Sequence, residues 1–573
     1  MRLSAPAAGG ADERAILAAL LVAVAVLAIL PLARLAIEAV APGGAASLEP
    51  AWRALTGPAV RTATWNTLVT GIGGTLIAVG LGTAVALVVT LTDVRGRGAV
   101  VFCFVTPLML APQVTALAWL QVTGPSSPLL KAIGIAPPLG ARNPLYSGWG
   151  VSFLLGLQYA PLVFLAVRAG LRALPRELIE AASVAGASRL TVVRDVVLPL
   201  MRPALAAAGA LAFVSCVGNF GIAAFLGIPG NYLLLPTLIY QRLTGLGPGA
   251  LSEVAVLSLL VGLIAGAGVL AQELALRRTD VRLAGAAKPA AAFPLGRWRP
   301  AVEGGLWLLV VVTLVLPLVG LAMTSLVSAY GVPLTARTAT LANYAYVLVE
   351  HEAARRALVN SLGLATAASI GVTVIGIPLA YFATGRRGGT GIARFLRHAA
   401  RAAELPYALP GVVLALACIL LFIRPLPLVG WSLYGTLWII LFAYLSRFLV
   451  LALRPIASGY AQVDPALEEA AQAAGAGFTR RLRDVLAPLV APAAAAGGLL
   501  VFLTAFNELT VSALLWASGT ETLGVVVFSF EQGGESNTAA ALATLTVLLT
   551  VTLMLATLAF ARYLPRGVLP WRD

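Results

Sequence analysis

Glu180-Ala-Ala-Ser-Val-Ala-Gly186-Ala-Ser-Arg-Leu-Thr-Val-Val-Arg-Asp-Val196-Val-Leu198-Pro199 has a second copy 289 residues further on, Glu469-Ala-Ala-Gln-Ala-Ala-Gly475-Ala-Gly-Phe-Thr-Arg-Arg-Leu-Arg-Asp-Val485-Leu-Ala487-Pro488. Glutamate to glycine is six residues in both copies, and glycine to proline is thirteen. Each copy reads as two short helices. Pro175 and Pro465 stand where proline suits a helix's first position, and Asp464 is an expected N-cap. Small residues fill the first helix, Glu180-Ala181-Ala182 and Glu469-Ala470-Ala471, and leave room for a partner to approach closely. Glycine permits a sharp turn between the helices. The second helix is basic and is expected to end at Pro199 or Pro488, before the next apolar run.

Both loops interrupt a chain that is otherwise apolar in runs of about 20 residues, the length that crosses a hydrocarbon core of roughly 30 Å. Of 573 residues, 60% are hydrophobic and 11% charged, against about 25% charged in a soluble protein. There is too little polar surface to cover a water-soluble globule. Twelve spans are expected: Ala15–Ala39, Thr62–Thr90, Ala99–Val122, Gly148–Ala169, Pro203–Leu226 and Leu251–Leu274, then Val302–Leu326, Leu358–Thr384, Leu405–Phe422, Leu433–Leu453, Ala491–Leu515 and Ala539–Ala561. Pro107 and Pro112 interrupt the third, Pro406 and Pro410 the ninth. The first run is longer than a signal-peptide core and lacks a small-x-small cleavage site straight after it, so it reads as a span. Cys103, Cys216 and Cys418 all lie inside apolar runs and read as packing residues.

The net charge is +15. Nucleic acid is not needed to explain it, because basic residues retained on the cytoplasmic side of a membrane set orientation. One set of loops holds Arg95 and Arg97, Arg172, Arg176, Arg189 and Arg194, Arg277, Arg278 and Arg282, Arg386, Arg387, Arg394, Arg397 and Arg401, and Arg480, Arg481 and Arg483. The opposite loops are poorer, and residues 517–537 carry no basic residue. Both termini are therefore expected in the cytoplasm.

Other marks of the repeat keep a similar spacing. Asn66-Thr67-Leu68 is echoed by Asn360-Ser361-Leu362, and Leu110-Ala111-Pro112 by Ala408-Leu409-Pro410. An even number of spans per repeat gives both halves one orientation. The fold class expected is thus all-α: a polytopic membrane protein of about twelve transmembrane helices in two parallel six-helix repeats.

The paired loops resemble the Glu-Ala-Ala-x3-Gly-x9-Ile-x-Leu-Pro loop of permease subunits of prokaryotic ATP-binding cassette importers. Val196 and Val485 stand for the isoleucine, and Ala487 for a leucine. In that family the loop docks into a groove on the ATPase. The resemblance makes Glu180, Ala181, Ala182, Gly186, Leu198 and Pro199, with Glu469, Ala470, Ala471, Gly475 and Pro488, the ATPase-coupling residues. It implies two ATPase subunits, an extracytoplasmic substrate-binding protein, a place in the bacterial inner membrane, and neither catalysis nor a cofactor in this chain. A phosphate-cradling loop needs G-x-x-x-x-G-K-[ST], which neither Lys131 nor Lys288 completes. The expected domains are residues 1–61 (first span and external loop), 62–274 (first permease domain), 275–301 (cytoplasmic linker), 302–355 (seventh span and external loop), 356–561 (second permease domain) and 562–573 (cytoplasmic tail).

Asn219-Phe220-Gly221-Ile222 and Pro406-Tyr407-Ala408-Leu409-Pro410-Gly411 are similar to segments of ferric-iron-type permeases, so the resemblance implies iron as cargo, with thiamine, polyamine and phosphonate permeases as near relatives. Asp93-Val-Arg95-Gly-Arg97-Gly resembles the short acidic-basic loop of major facilitator transporters, an alternative that leaves the paired loops unexplained. Glu350-His351-Glu352 are consecutive and do not converge on one metal ion, and His398 sits among arginines as a solvated side chain. Glu508 falls within the eleventh span, roughly 24 Å above Pro492 at 1.5 Å per residue. Asn219 stands 289 residues earlier. Polar residues inside spans are costly unless they face a cavity or a partner. The pair is therefore a candidate pathway lining, with a helix–helix hydrogen bond or a pairing to Arg447 as the structural alternative.

Overall fold

The computed structural model describes residues 11–42, 47, 49–138, 140–245, 250–276, 293–384, 402–425 and 430–560. Most of the expected linker after Leu276, Lys288, the arginines at 386–401, His398 and the C-terminal tail lie outside the described residues. The first half contains α1 (Ala11–Val40), α2 (Pro58–Leu91), α3 (Arg97–Met109), α4 (Pro112–Thr123), α5 (Gly148–Arg172), α6 (Arg176–Val184), α7 (Arg189–Leu200), α8 (Arg202–Gly218), α9 (Leu235–Thr244) and α10 (Ala250–Leu276). The second contains α11 (Gly296–Ser325), α12 (Glu352–Ala383), α13 (Gly411–Phe422), α14 (Leu437–Gln462), α15 (Pro465–Ala473), α16 (Phe478–Phe506), α17 (Leu523–Gln532) and α18 (Ser536–Phe560).

Nine helices among the described residues are long and apolar enough to cross a membrane, and eleven if each bent pair is one span. The expected third span is one bent pair, α3 and α4 meeting at 103°; the other joins α7 of the first loop to α8 at 68°, and the expected fifth span is reduced to α8, which stops at Gly218. Proline explains the first bend. Pro112 has no N–H to return to the preceding turn, so the chain runs extended through Leu110 and Ala111 and restarts. The expected ninth span is reduced to α13, twelve residues that begin after Pro410. Leu76 on α2 and its counterpart Ile370 on α12 are 67% and 60% exposed. Large apolar side chains left bare at matched places on long helices are what a lipid-facing surface requires.

The repeat is visible in its hydrogen bonds. Asn66 Nδ2 donates to Leu233 O (3.0 Å), and Thr67 Oγ1 accepts from Leu235 N (2.9 Å). In the second half Asn360 Nδ2 donates to Glu521 O (3.0 Å), and Ser361 Oγ accepts from Leu523 N (2.9 Å). In each half the second span thus satisfies N–H groups that open a short helix and would otherwise lack partners. The opening spans cross between halves. The end of α1 packs on α13 of the second half, and Ser446 Oγ on α14 donates to Leu27 O (2.5 Å). The end of α11 packs on α4 of the first. The larger buried cluster accordingly draws on both halves, from Leu20 to Val547.

Candidate coupling loops and central cavity

Both loops turn at their glycine with the same backbone. Gly186 has φ +82° and Gly475 φ +81°. In the first loop Ala185 N donates to Ala181 O (3.0 Å) and Ala187 N to Ala182 O (3.1 Å). In the second Ala474 N donates to Ala470 O and Ala476 N to Ala471 O, both at 3.0 Å. This doubled closure is how a helix ends on a left-handed glycine. A Cβ at either glycine would touch nothing within 4 Å, so backbone conformation alone demands glycine. Glu180, Ala181, Gly186, Glu469, Ala470, Gly475 and Pro488 are exposed; Ala182, Ala471, Leu198 and Pro199 are half-buried.

Two local expectations are corrected. Pro465 opens its helix, with Asp464 accepting from Ala466 N (2.9 Å) as the cap, but Pro175 precedes α6 and is itself the cap position. The second helix of the first loop ends at Leu200, one residue past its proline and before a 68° bend, whereas that of the second loop does not end at its proline. Each passes through a π-helical turn, Val193–Val197 or Leu482–Leu486, and Pro199 and Pro488 come after that turn. Proline has no N–H to lose where the hydrogen-bond register changes, so the second-half helix continues through Pro488. In the second half α16 therefore runs unbroken from the coupling loop to Phe506.

Between the halves lies a cavity of about 520 Å³, lined by Gln158, Tyr159 and Asn219 from the first half and Tyr407, Arg447 and Glu508 from the second. Asn219 and Glu508, paired on sequence, are brought to this one cavity. They are not in continuous helices as expected. The helices stop at Gly218 and Phe506, and each side chain caps the turn after its break. Asn219 Oδ1 accepts from Ile222 N (2.9 Å). Glu508 accepts from Val511 N (3.0 Å) and Ser512 N (3.2 Å). Short acceptor side chains compete for backbone N–H groups and break a helix there. Asn219 Nδ2 also donates to Tyr159 Oη (2.8 Å).

Gln158 and Arg447 were not expected as lining residues from sequence, although the 289-residue offset links them as it links Asn219 and Glu508. Gln158 Nε2 donates to Pro107 O (2.9 Å) and Leu110 O (3.3 Å), two carbonyls at the α3 bend. Arg447 has no ion pair under 4 Å with Glu508, and its Nη1 is buried without a hydrogen-bond partner among the described residues. The direct Glu508–Arg447 pairing is thus not formed.

Toward the candidate coupling loops the cavity reaches Arg454 and Glu404, 3.4 Å apart and both exposed. Directly after Asn219, Phe220 packs with Phe528 and the half-buried Tyr240, which also touch each other, and Phe225 packs on Phe528, at ring separations of 5.2 to 5.9 Å. These rings come from both halves. His351, singled out with Glu350 and Glu352, caps α12 by accepting from Ala354 N (3.2 Å) and packs against Phe530.

The family model for the binding-protein-dependent transport system inner membrane component matches the chain twice, over residues 74–278 and 373–570. The chain belongs to that family. A protein of Sinorhizobium fredii named as an ABC transporter permease is 29% identical over 76% of this chain and 75% of its own length. One of Streptomyces antibioticus is 36% identical over 34% of this chain and 80% of its own. The permease protein PhnU of a 2-aminoethylphosphonate transport system in Salmonella typhi is 37% identical over 17% of this chain and 34% of its own. A crystal structure of a bacterial ABC transporter that imports alginate aligns to 48% of this chain and 98% of that one, with 16% identity and a TM-score of 0.36. Members of this permease family are multi-pass membrane components that work with ATPase and substrate-binding partners. The major facilitator alternative finds no support among them.

Proposed function

We propose that one copy of this chain supplies both halves of an importer's pathway and couples them to two ATPase subunits, one at each loop. The observation that carries this reading is the matched glycine turn, φ +82° and +81°, at the tips of two exposed loops 289 residues apart. The loops and both termini lie in the cytoplasm of a bacterium. The cavity between Glu508 and Arg454 then opens inward, and the aromatic cluster around Phe528 closes the outer end, where a binding protein would deliver cargo. ATP hydrolysis belongs to the partner subunits. Asn219 and Glu508 line the path and hold the helix breaks that frame it.

The cargo is an organic phosphonate. Arg447 puts a cationic group on the cavity wall, while Glu508 spends its carboxylate on backbone N–H groups. Two relatives, PhnU and PhnV, are named for 2-aminoethylphosphonate transport. Ferric iron, the other reading, is favoured by the segments around Asn219 and Tyr407. Co-purification of the chain with its ATPase tests the stoichiometry: two ATPases per chain are expected, and a 1:1 complex or none overturns the reading. Uptake into vesicles should require ATP and not a proton gradient.

A further inference from the structure

We propose that Arg447, seconded by Tyr159, is the residue that selects an oxyanion in the central cavity; this rests on the importer reading above. The two halves put different chemistry at matched positions. Gln158 in the first half is fully engaged as a donor, because its amide caps two carbonyls of the α3 bend. Its counterpart Arg447 sits against the corresponding bend of the second half, where Gly411 follows Pro410. A Cβ added to Gly411 would collide with Arg447 Nη1, so the glycine is what leaves space for the guanidinium. That guanidinium is not spent on the protein. Nη1 is buried without an acceptor among the described residues, and the carboxylate of Glu508, which lines the same cavity and accepts from backbone N–H groups, makes no ion-pair contact with it under 4 Å.

An arginine is always charged, and its fork of N–H donors matches the oxygens of a phosphonate or phosphate group. A buried donor with no acceptor is unfavourable until a ligand or water supplies one. Tyr159 adds a second donor. Its Oη accepts from Asn219, so its own proton is left to give, and it lines the cavity that Arg447 lines. Both groups line the same cavity as Glu508. The carboxylate beside the guanidinium keeps the wall from binding an anion too tightly to release.

The test uses the full complex of permease, ATPase and binding protein in lipid vesicles, with radiolabelled 2-aminoethylphosphonate and inorganic phosphate as probes. ATP hydrolysis stimulated by the binding protein is read in parallel. Arg447→Gln should lower uptake of the transported probe by about tenfold or more, the worth of a charge-assisted contact, while hydrolysis and complex formation persist. Arg447→Lys, which keeps the charge and loses the fork, should fall between Gln and wild type. The double variant Arg447→Gln with Gln158→Arg moves the charge to the other wall and should recover part of the uptake. Wild-type uptake rates in Arg447→Gln overturn the assignment, as does a Lys variant no better than Gln. Wild-type complex that hydrolyses ATP but carries neither probe also overturns it, and leaves the importer reading intact. Loss of ATPase association in the wild type would instead overturn the importer reading itself.

Discussion

In the first candidate coupling loop Ile179 and Val192 are buried where, 289 residues on, the second loop has Glu468 and Arg481. Tyr381 Oη donates to Glu468 Oε1 (2.6 Å), and Arg481 Nε lies 3.7 Å from the same oxygen. Arg481 Nη1 donates to Ala476 O (3.2 Å), and its guanidinium stands over the Phe478 ring. The opening helix α1 reaches this loop too, where Asp12 accepts from Thr479 Oγ1 at 3.5 Å. The tips are alike in backbone and unlike in anchor. The turn is dictated by a glycine conformation with one solution, whereas the anchor beneath it can be satisfied by burial or by directional bonds.

The comparison is most easily broken at Arg481. Removing one member of a buried ion pair costs about 3 kcal/mol, because the other is left uncompensated. Arg481→Ala should therefore destabilise the second loop by about that much. Glu468→Ile with Arg481→Val, which copies the first loop, should return to within about 1 kcal/mol of wild type. Thermal unfolding of the purified complex checks both, and a double variant as unstable as the single would show that the anchors are not interchangeable.

The turns should respond alike. A side chain forced left-handed costs roughly 1–2 kcal/mol, and nothing crowds either site. Gly186→Val and Gly475→Val should each lower transport while the chain still inserts, and to a similar degree. Normal uptake in both would remove the turn from the coupling mechanism.

The exposed faces sharpen the contrast. Val184 and Leu190 are 89% and 76% exposed on the first loop, where the second has Ala473 and Thr479. If these faces dock ATPase, Val184→Ser should weaken association by about 1 kcal/mol, and Ala473→Ser by less. Titration of purified ATPase onto each variant decides it.

The smallest effect is acid-dependent. In the first half Asp93 ties the start of α11 by accepting from Leu295 N (2.7 Å) and pairing with Arg299. The Leu295 N–H holds the Asp93 carboxyl below its ordinary value of 3.8, against a lesser upward push from burial and with help from Arg299. A depressed folded value means the tether contributes above pH 3.8 and is lost as pH falls through the folded one. Melting curves of wild type and Asp93→Asn should differ slightly near neutrality and converge only as the pH falls below 3.8 and through the lower folded value; a constant gap would exclude the titration.

Much of the site was legible. The spacing from Glu180 to Pro199 and its copy located both loops, since helix, glycine turn and second helix are local events written in consecutive residues. The offset also paired Asn219 with Glu508. It relates Gln158 to Arg447 as well, but a glutamine and an arginine inside spans carry no common motif, and only packing shows that they face one cavity. The helix breaks at Gly218 and Phe506 read as continuous spans on sequence, since hydropathy does not register a side chain that takes a backbone N–H for itself.

The amino-acid sequence by itself determined the helical membrane architecture, the duplication and the position of the two glycine turns. Apolar run length, repeat spacing and the left-handed preference of glycine act over short stretches of chain. Tertiary structure alone decided that α1 and α11 cross to the opposite halves, and that Arg447 meets the bend before Gly411. It also decided that Glu468 is clamped between Tyr381 and Arg481 while its counterpart Ile179 is simply buried. Those outcomes depend on which distant surfaces meet, and a span facing lipid reads the same as one facing another helix until the packing is known.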